Sequence, residues 1–425
     1  MTEPRPAHGS IPRAALALSA HLAKWLALAI GVAVLAGSAS ALFLYALALA
    51  TDAHGAHRWL IWLLPFAGFA VGWVYLRFGR DVERGNNLLI DEIHDPRNVV
   101  PLRMAPLVLV ATVVSHLFGA SVGREGTAVQ MGGALADQFT RVFRLGREDR
   151  RVLLMAGIAA GFASVFGTPL AGAVFALEVL AIGRMRTDAI LPCVVAAIVA
   201  DRVGIFWGGF SGVHHTHYPI GAVPEISAWP LFAMLLAGAV FGLTARGFAA
   251  STHVVTFAMK RAIAYPPLRP FVGGLAIALA AWSLGGAERY LGLGIPTIVE
   301  AFEQPLAPWD FAGKMAFTVA ALGSGFKGGE VTPLFYIGAT LGNALAPLLG
   351  LPFPLLAGMG FVAVFAGAAN TPIASTLMAL ELFGPQAGVF AAIACAASHL
   401  FSGHAGIYRA QRIAHRKPGS AGEDG

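Results

Sequence analysis

From residue 331 to residue 380 the chain runs 50 residues without one Asp, Glu, Lys, Arg or His. Such a run offers nothing to water, and at about 20 residues per crossing it is roughly two and a half membrane spans long. Pro333, Pro347, Pro352, Pro354 and Pro372 interrupt it. Proline inside a helix removes a backbone hydrogen bond and clashes with the preceding turn. The stretch therefore predicts several short, tilted or incomplete helices. The rest of the sequence agrees. Of 425 residues 57% are hydrophobic and 12% charged, about half the soluble average of roughly 25%. The chain reads as an all-α polytopic membrane protein. Its net charge of +6 is what basic cytoplasmic loops supply and does not point to nucleic acid. Cys193 and Cys395 lie in apolar runs and offer neither a disulfide framework nor a CxxC metal site.

Taken in order, residues 1–24 are polar and basic (Arg5, Arg13, Lys24) and read as a cytoplasmic segment with a short interfacial helix. Residues 25–50 and 59–76 are uncharged spans joined by a short loop at 52–58, and a basic cluster, Arg77, Arg80 and Arg84, follows. The positive-inside bias puts the N-terminus and this cluster in the cytoplasm. It does the same for the five-arginine loop at 141–151 and for the basic tail, 409–425. The Asn pair in Gly85-Asn86-Asn87 suits a helix cap. Residues 152–177 are uncharged but broken at Gly167-Thr168-Pro169, which predicts two helices. Residues 189–200 are too short to span alone, and 201–228 read as a mixed external loop containing His214, His215 and His217. Three close histidines invite zinc, but no thiol lies near them and no metal is expected. The membrane domain is placed at 25–408.

An internal repeat organises this domain. Thr168-Pro169-Leu170-Ala171-Gly172-Ala173-Val174-Phe175-Ala176-Leu177-Glu178 matches Thr371-Pro372-Ile373-Ala374-Ser375-Thr376-Leu377-Met378-Ala379-Leu380-Glu381 at six of eleven positions, at an offset of 203. At the nearby offset of 205, Glu125 falls on Glu330, each after a glycine-rich turn. The halves are placed at about 60–215 and 270–408. Paired repeats with helices broken at matching places are the best sequence pointer to a midplane transport site. Glu178 and Glu381 end equivalent helices, and that symmetry favours a structural role, such as accepting backbone N–H bonds, over proton relay.

The chemistry centres on Gly123-Arg124-Glu125-Gly126-Thr127, a carboxylate among glycines directly after an uncharged run. A charge left at the bilayer centre costs roughly 2.5–3.5 kcal/mol on insertion scales, so a carboxylate kept there has a function or a partner. Arg124 is the nearest candidate partner. For Glu330 it is Lys327, three residues back.

These residues resemble the CLC family of anion channels and proton-coupled anion antiporters over about 60–410. Gly123-Arg124-Glu125-Gly126 followed by Gln130 resembles the family's gating-glutamate motif. Gly325-Phe326-x-Gly328-Gly329-x-x-x-Pro333 resembles its second anion-site motif, and Tyr408 falls where the family has a central tyrosine. The resemblance implies two inverted homologous halves, a homodimer in the lipid bilayer of the inner membrane and one anion pathway per subunit. Several positions depart from the common pattern. Asn86 stands where a chloride-coordinating serine is usual, Thr127 replaces a proline, and Val179 replaces the internal proton glutamate beside the retained Glu178. Glu330 and Thr332 replace apolar residues. The run 323–333 looks like the fluoride-exporting branch.

The expectation is therefore a secondary transporter exchanging fluoride for protons. In it, Glu125 alternates between an ionised form in an anion position and a protonated form swung away. Glu330 is a second functional carboxylate. Asn86, Gly126 and Thr332 serve the anion, and Phe326 and Tyr408 narrow the pathway. The alternatives are a chloride/proton antiporter or a passive anion channel on the same fold. An intramembrane enzyme using Glu125 and Glu330 as paired acids has no HExxH or Ser/Lys constellation behind it. A cation transporter is discouraged by the glycine-rich turns and Lys327, and no cofactor is called for.

Overall fold

A computed structural model describes residues 11–216 and 218–418. Arg5, His217 and residues 419–425 lie outside the described residues. Sixteen α-helices are found among them: α1 (Ile11–Ala56), α2 (Leu64–Phe78), α3 (Asn86–His94), α4 (Met104–Leu117), α5 (Glu125–Val142), α6 (Arg147–Phe166), α7 (Pro169–Glu178) and α8 (Ile190–Ser211), then α9 (Ala228–Ala262), α10 (Leu268–Ser283), α11 (Ile295–Glu303), α12 (Asp310–Ser324), α13 (Val331–Leu349), α14 (Phe353–Ala369), α15 (Pro372–Phe383) and α16 (Gly388–Phe401). Five segments are long and apolar enough to cross a membrane: Ala15–Ala56, Arg58–Phe78, Ile190–Ser211, Ala228–Ala262 and Val331–Leu349. The uncharged run breaks into α13, α14 and α15, close to its prolines.

The breaks recur in both halves. Gly167 in the left-handed conformation (φ 70°) ends α6, and Pro169 opens α7. Asn370 (φ 56°) ends α14 in the same conformation, and Pro372 opens α15. A left-handed residue past the last turn and a proline at the first helical position is how helices commonly stop and restart. Close helix approach recurs too. A Cβ at Gly132 would run into the Gly157 carbonyl between α5 and α6, and one at Gly338 into the Gly360 carbonyl between α13 and α14. Small residues at such crossings let membrane helices touch backbone to backbone.

Reciprocal contacts show how the halves are related. Gly123 and Gly329 exchange both backbone hydrogen bonds, at 2.6 and 2.7 Å. Glu178 at the end of α7 accepts from Ile373 N (3.0 Å) and Ala374 N (2.8 Å) at the start of α15. Glu381 near the end of α15 accepts from Leu170 N and Ala171 N, both at 2.9 Å, at the start of α7. When each residue's partner is its counterpart's equivalent, the two units are related by a two-fold axis. Here the axis runs by the glycine pair, from which α5 and α13 start with their N-termini facing. Equivalent helices thus run in opposite senses, and the halves are inverted.

Several boundaries differ from the sequence reading. The 52–58 loop is mostly absent, because α1 continues through Asp52 to Ala56, and it also takes in residues 11–24 as part of one 46-residue helix. Residues 189–200 do not stop short: α8 carries on through Asp201 to Ser211, with Asp201 turned inward to 2% exposure. The halves start earlier than residues 60 and 270. α1 packs on α6 and α8 as α9 packs on α14 and α16, so each half has eight helices. Arg150 does not join its neighbours in the loop. It is buried, donating to Asp137 Oδ1 and Oδ2 (both 2.8 Å), Glu92 Oε2 (2.9 Å) and Asn98 O (2.5 Å). That network ties α3 to α5 and α6.

The remaining basic segments share one face. Lys24 pairs with Asp149 at 2.5 Å, and Arg84 pairs with Asp91. Arg151 donates to His94 O (3.1 Å), and His94 Nε2 lies 2.8 Å from Leu180 O. Leu180 O in turn accepts from Arg412 N. There two short parallel strands, β1 (Ala181–Ile182) and β2 (Arg412–Ile413), join the end of the first half to the chain after α16. Residues 409–418 are therefore held against the body of the protein and do not form a free tail.

Candidate functional site

The facing N-termini of α5 and α13 make the site. The first turn of a helix leaves amide N–H groups without intrahelical partners, and its dipole favours negative charge there. Glu125, the first residue of α5, is 1% exposed. Its carboxylate reaches across the two-fold axis to the second helix. Oε2 accepts from Thr332 N at 3.0 Å and from Thr332 Oγ1 at 2.5 Å. Within its own turn it also accepts from Arg124 N at 3.2 Å, and Arg124 Nε stands 3.4 Å from Oε1. Arg124 is thus a long side contact rather than the principal partner. The carboxylate occupies a cradle of amide and hydroxyl donors that would suit any small anion.

Below it, Asn86, Gly126 and Glu330 converge. Asn86 is the first residue of α3, after Gly85 in a left-handed-side turn (φ 56°). A Cβ at Gly126 would lie 3.1 Å from Asn86 Nδ2, 3.1 Å from Gly329 Cα and 3.9 Å from Glu330 Oε2. No larger residue would let α5 come so near. Asn86 Oδ1 is buried without a hydrogen-bond partner. An unpaired acceptor of this kind leaves room for a hydrogen-bond donor, while the Nδ2 side of the amide is the one that faces Gly126. Glu330 caps α13 and is only partly buried. Among the described residues it has no ion-pair partner. Lys327, expected as a possible one, turns away to place Nζ 4.3 Å from the Tyr75 ring centroid. The aromatic face offers a cation a nearby partner, so the i, i+3 pairing is not made.

Tyr408 is buried, its ring centroid 6.3 Å from that of Phe175, and two residues on, Ala410 N donates to Asn87 Oδ1 beside Asn86. Phe326 is buried in a cluster with Ile61, Leu64 and Val122 and presses on α2 at Gly68. Asn86, Gly126 and Glu330 therefore gather around Glu125 and Thr332, and the segment carrying Tyr408 is bonded to Asn87 beside them. Phe326 flanks the group, Lys327 stands apart from it, and Glu178 and Glu381 hold the two halves together elsewhere.

A cavity of about 20 Å³ opens beside Glu125, lined among others by Arg124, Thr332, His215, Thr216 and Tyr218. That is room for roughly one water-sized species. Residue spacing did not reveal this lining. The only sequence signal was the polar run 214–218 itself, which suggested an exposed loop. His215 is drawn in, its Nδ1 3.2 Å from Val165 O and its Nε2 3.9 Å from Asp201. Among the described residues no three His, Cys, Asp or Glu side chains gather as a metal site.

Comparison with known proteins agrees with this geometry. The family profile described as "Voltage gated chloride channel" matches residues 67–403. A chloride/fluoride channel protein of Pseudomonas syringae pv. tomato is 68% identical over 407 residues, 95% of this chain and 89% of that protein. The H(+)/Cl(-) exchange transporter ClcA of Cronobacter sakazakii is 28% identical over 390 residues, 82% of this chain and 80% of that protein. Among solved structures, a CLC-type fluoride/proton antiporter superposes with a TM-score of 0.88 at 35% identity, covering 92% of this chain and 98% of that one. A slow cyanobacterial Cl-/H+ antiporter shares the fold, with a TM-score of 0.77 at 20% identity over 89% of this chain and 94% of that one. With two inverted halves, helix N-termini facing across them and a carboxylate lodged between, this chain belongs to the voltage-gated chloride channel (CLC) family of multi-pass membrane channels and transporters.

Proposed function

We propose that the protein exports fluoride in exchange for protons. One observation carries the reading: the Glu125 carboxylate lies buried on the amide and hydroxyl of Thr332, a place fit for a small anion. A carboxylate and an anion compete for these donors. When an anion arrives, Glu125 leaves most cheaply as the neutral acid, because an unpaired charge in that environment is costly. Each anion passing one way thus favours a proton carried the other way. The protein acts as a transporter and not as an enzyme.

In this reading Glu330 is a second proton-handling carboxylate facing the same space. Asn86, Gly126 and Thr332 contact the anion, Gly126 by admitting it close to the backbone. Tyr408 and Phe326 wall the path. A compact, strongly hydrated anion needs polar donors to replace its water, and Asn86 and Thr332 supply them. The names of two relatives support the choice, the Pseudomonas chloride/fluoride channel protein and the CLC-type fluoride/proton antiporter. The ClcA relative, an H(+)/Cl(-) exchanger, supports chloride/proton antiport as the second reading.

Each subunit of a homodimer in the inner-membrane bilayer carries one pathway. The shared basic face is cytoplasmic by the positive-inside bias, and both termini lie on that side. The test is efflux of fluoride and of chloride from proteoliposomes under an imposed pH gradient. Fluoride efflux driven uphill by protons is expected. Chloride moved equally well would favour the second reading, and proton-independent flux of either would refute antiport.

A further inference from the structure

The chain after α16 turns back under the protein and carries Tyr408 into the site. Its course is bonded at nearly every step. Gly406 lies flush on the end of α14, where a Cβ would meet Ala368 O at 2.7 Å and Asn370 Nδ2 at 2.9 Å. Ile407 N donates to Ala368 O at 2.9 Å. Ala410 N donates to Asn87 Oδ1 at 2.9 Å, next to the Asn86 of the site. Gln411 donates to Val179 O and Ala369 O, both at 3.1 Å, and accepts from Asn370 Nδ2 at 3.0 Å. The β1–β2 pairing follows.

The last fixing point among the described residues is Lys417, 6% exposed. Its ammonium donates to His399 O and Gly403 O (2.5 Å each), Asn370 Oδ1 (2.6 Å) and Ser402 Oγ (3.1 Å). The first two carbonyls belong to the last turn and exit of α16, where a helix dipole favours a cation. A buried ammonium needs partners to offset its lost hydration, and these four oxygens are among them. Asn370, held in the left-handed conformation at the end of α14, binds Gln411 with its amide nitrogen and Lys417 with its amide oxygen. The strap is thereby closed into a loop with Tyr408 inside it.

We infer that Lys417 is a positioning residue for Tyr408: by locking residues 404–418 to the ends of α14 and α16 it holds the tyrosine as a fixed wall of the anion path. The inference rests on the proposed anion pathway only for its transport readout, since the locking itself can be measured apart from it.

Two measurements test it. Ile407 is a buried residue of the strap itself, its amide bonded to the end of α14, so in Ile407→Cys the thiol should resist a maleimide. Adding Lys417→Met should raise its labelling rate at least tenfold, while Lys417→Arg, which keeps a donor there, should restore most of the protection. Unchanged labelling in Lys417→Met would overturn the lock, whatever the protein transports. The second measurement is a double-mutant cycle in proteoliposomes with Tyr408→Ala. Lys417→Met should lower the fluoride-to-chloride rate ratio several-fold in the Tyr408 background and change nothing further once Tyr408 is gone. A merely structural lysine would reduce both rates in proportion and leave the ratio intact, and that outcome, or equal effects in both backgrounds, would overturn the positioning role. Should Lys417→Met fail to fold, Gln411→Ala releases the strap at its other anchor and carries the same two expectations. Wild-type protein without proton-driven fluoride efflux would sink the functional reading yet leave the labelling result standing.

Discussion

The two helix starts at the centre of the molecule are made of equivalent residues put to unequal use. Glu125 and Thr127 open α5 as Glu330 and Thr332 cap and open α13, at the same offset of 205. Thr332 gives both its amide and its hydroxyl to Glu125, across the two-fold axis. Thr127 keeps its hydroxyl at home, 2.7 Å from Thr112 Oγ1 on α4. Likewise Glu125 is fully enclosed while Glu330 stays partly open. At these two helix starts, then, the backbone contacts remain reciprocal and the glutamate and threonine side-chain contacts do not. Symmetry supplies two anion-friendly helix ends facing each other. The two cross-axis bonds from Thr332 make one of them the seat and the other the source of the occupant.

The comparison is broken most severely at Glu125. Glu125→Gln keeps the shape but can neither carry a proton nor compete as an anion. Proton-driven uphill fluoride movement should fall at least about a hundredfold, a typical size for losing a positioned proton carrier. Proton flux recorded with a pH probe should vanish even if passive anion flux remains. Thr332→Val comes next. It removes the shorter of the two cross-axis bonds, and a hydrogen bond to a charged group contributes roughly 1.5–3 kcal/mol. With about 1.4 kcal/mol per tenfold, exchange should slow by roughly tenfold or more in the same liposome assay. A Thr332→Val protein with unaltered exchange would mean the hydroxyl is not part of the seat.

How much of this could be read beforehand follows from what leaves a trace in one dimension. The Thr-Pro…Glu repeat announced both broken helices, because a proline and a helix stop are local events. The same repeat suggested that Glu178 and Glu381 accept backbone amides. It could not say that each caps the other half's helix, since that depends on how the halves dock. The Glu125 motif marked the site, but its partner Thr332 lies 207 residues away in sequence, and no spacing rule reaches so far. Local charge was the least reliable guide. Arg150 sits among exposed arginines yet is buried, and Lys417 reads as tail yet plugs a helix end. In both cases distant carbonyls and carboxylates decide the position. The long helices α1 and α9 escaped the repeat because lipid-facing apolar residues are interchangeable and retain little identity to compare.

The reciprocal carboxylates offer a gentler probe, in stability rather than transport. Glu178→Gln and Glu381→Gln each replace a charged acceptor of two amide bonds at a helix start by a neutral amide, at a cost of about 1–2 kcal/mol. Glu178 is buried to 7% exposure whereas Glu381 is partly open, so water screens the second more. Thermal unfolding in detergent should show the larger drop for Glu178→Gln. Equal drops would mean that burial does not separate the two clamps.

The smallest effect is expected at Thr127, and it is the one that sharpens the comparison most. Thr127→Val removes a neutral hydroxyl pair within one half, about 1 kcal/mol. Part of that returns when Thr112 Oγ1 turns to a carbonyl of its own helix, as threonines in helices can. No donor to Glu125 is lost, so exchange in liposomes should stay within about threefold of wild type while Thr332→Val is severely slowed. If the two valine variants instead proved equally impaired, the hydroxyl at either helix start would matter alike. The site would then be a symmetric seat, and the cross-axis bond from Thr332 would be incidental to it.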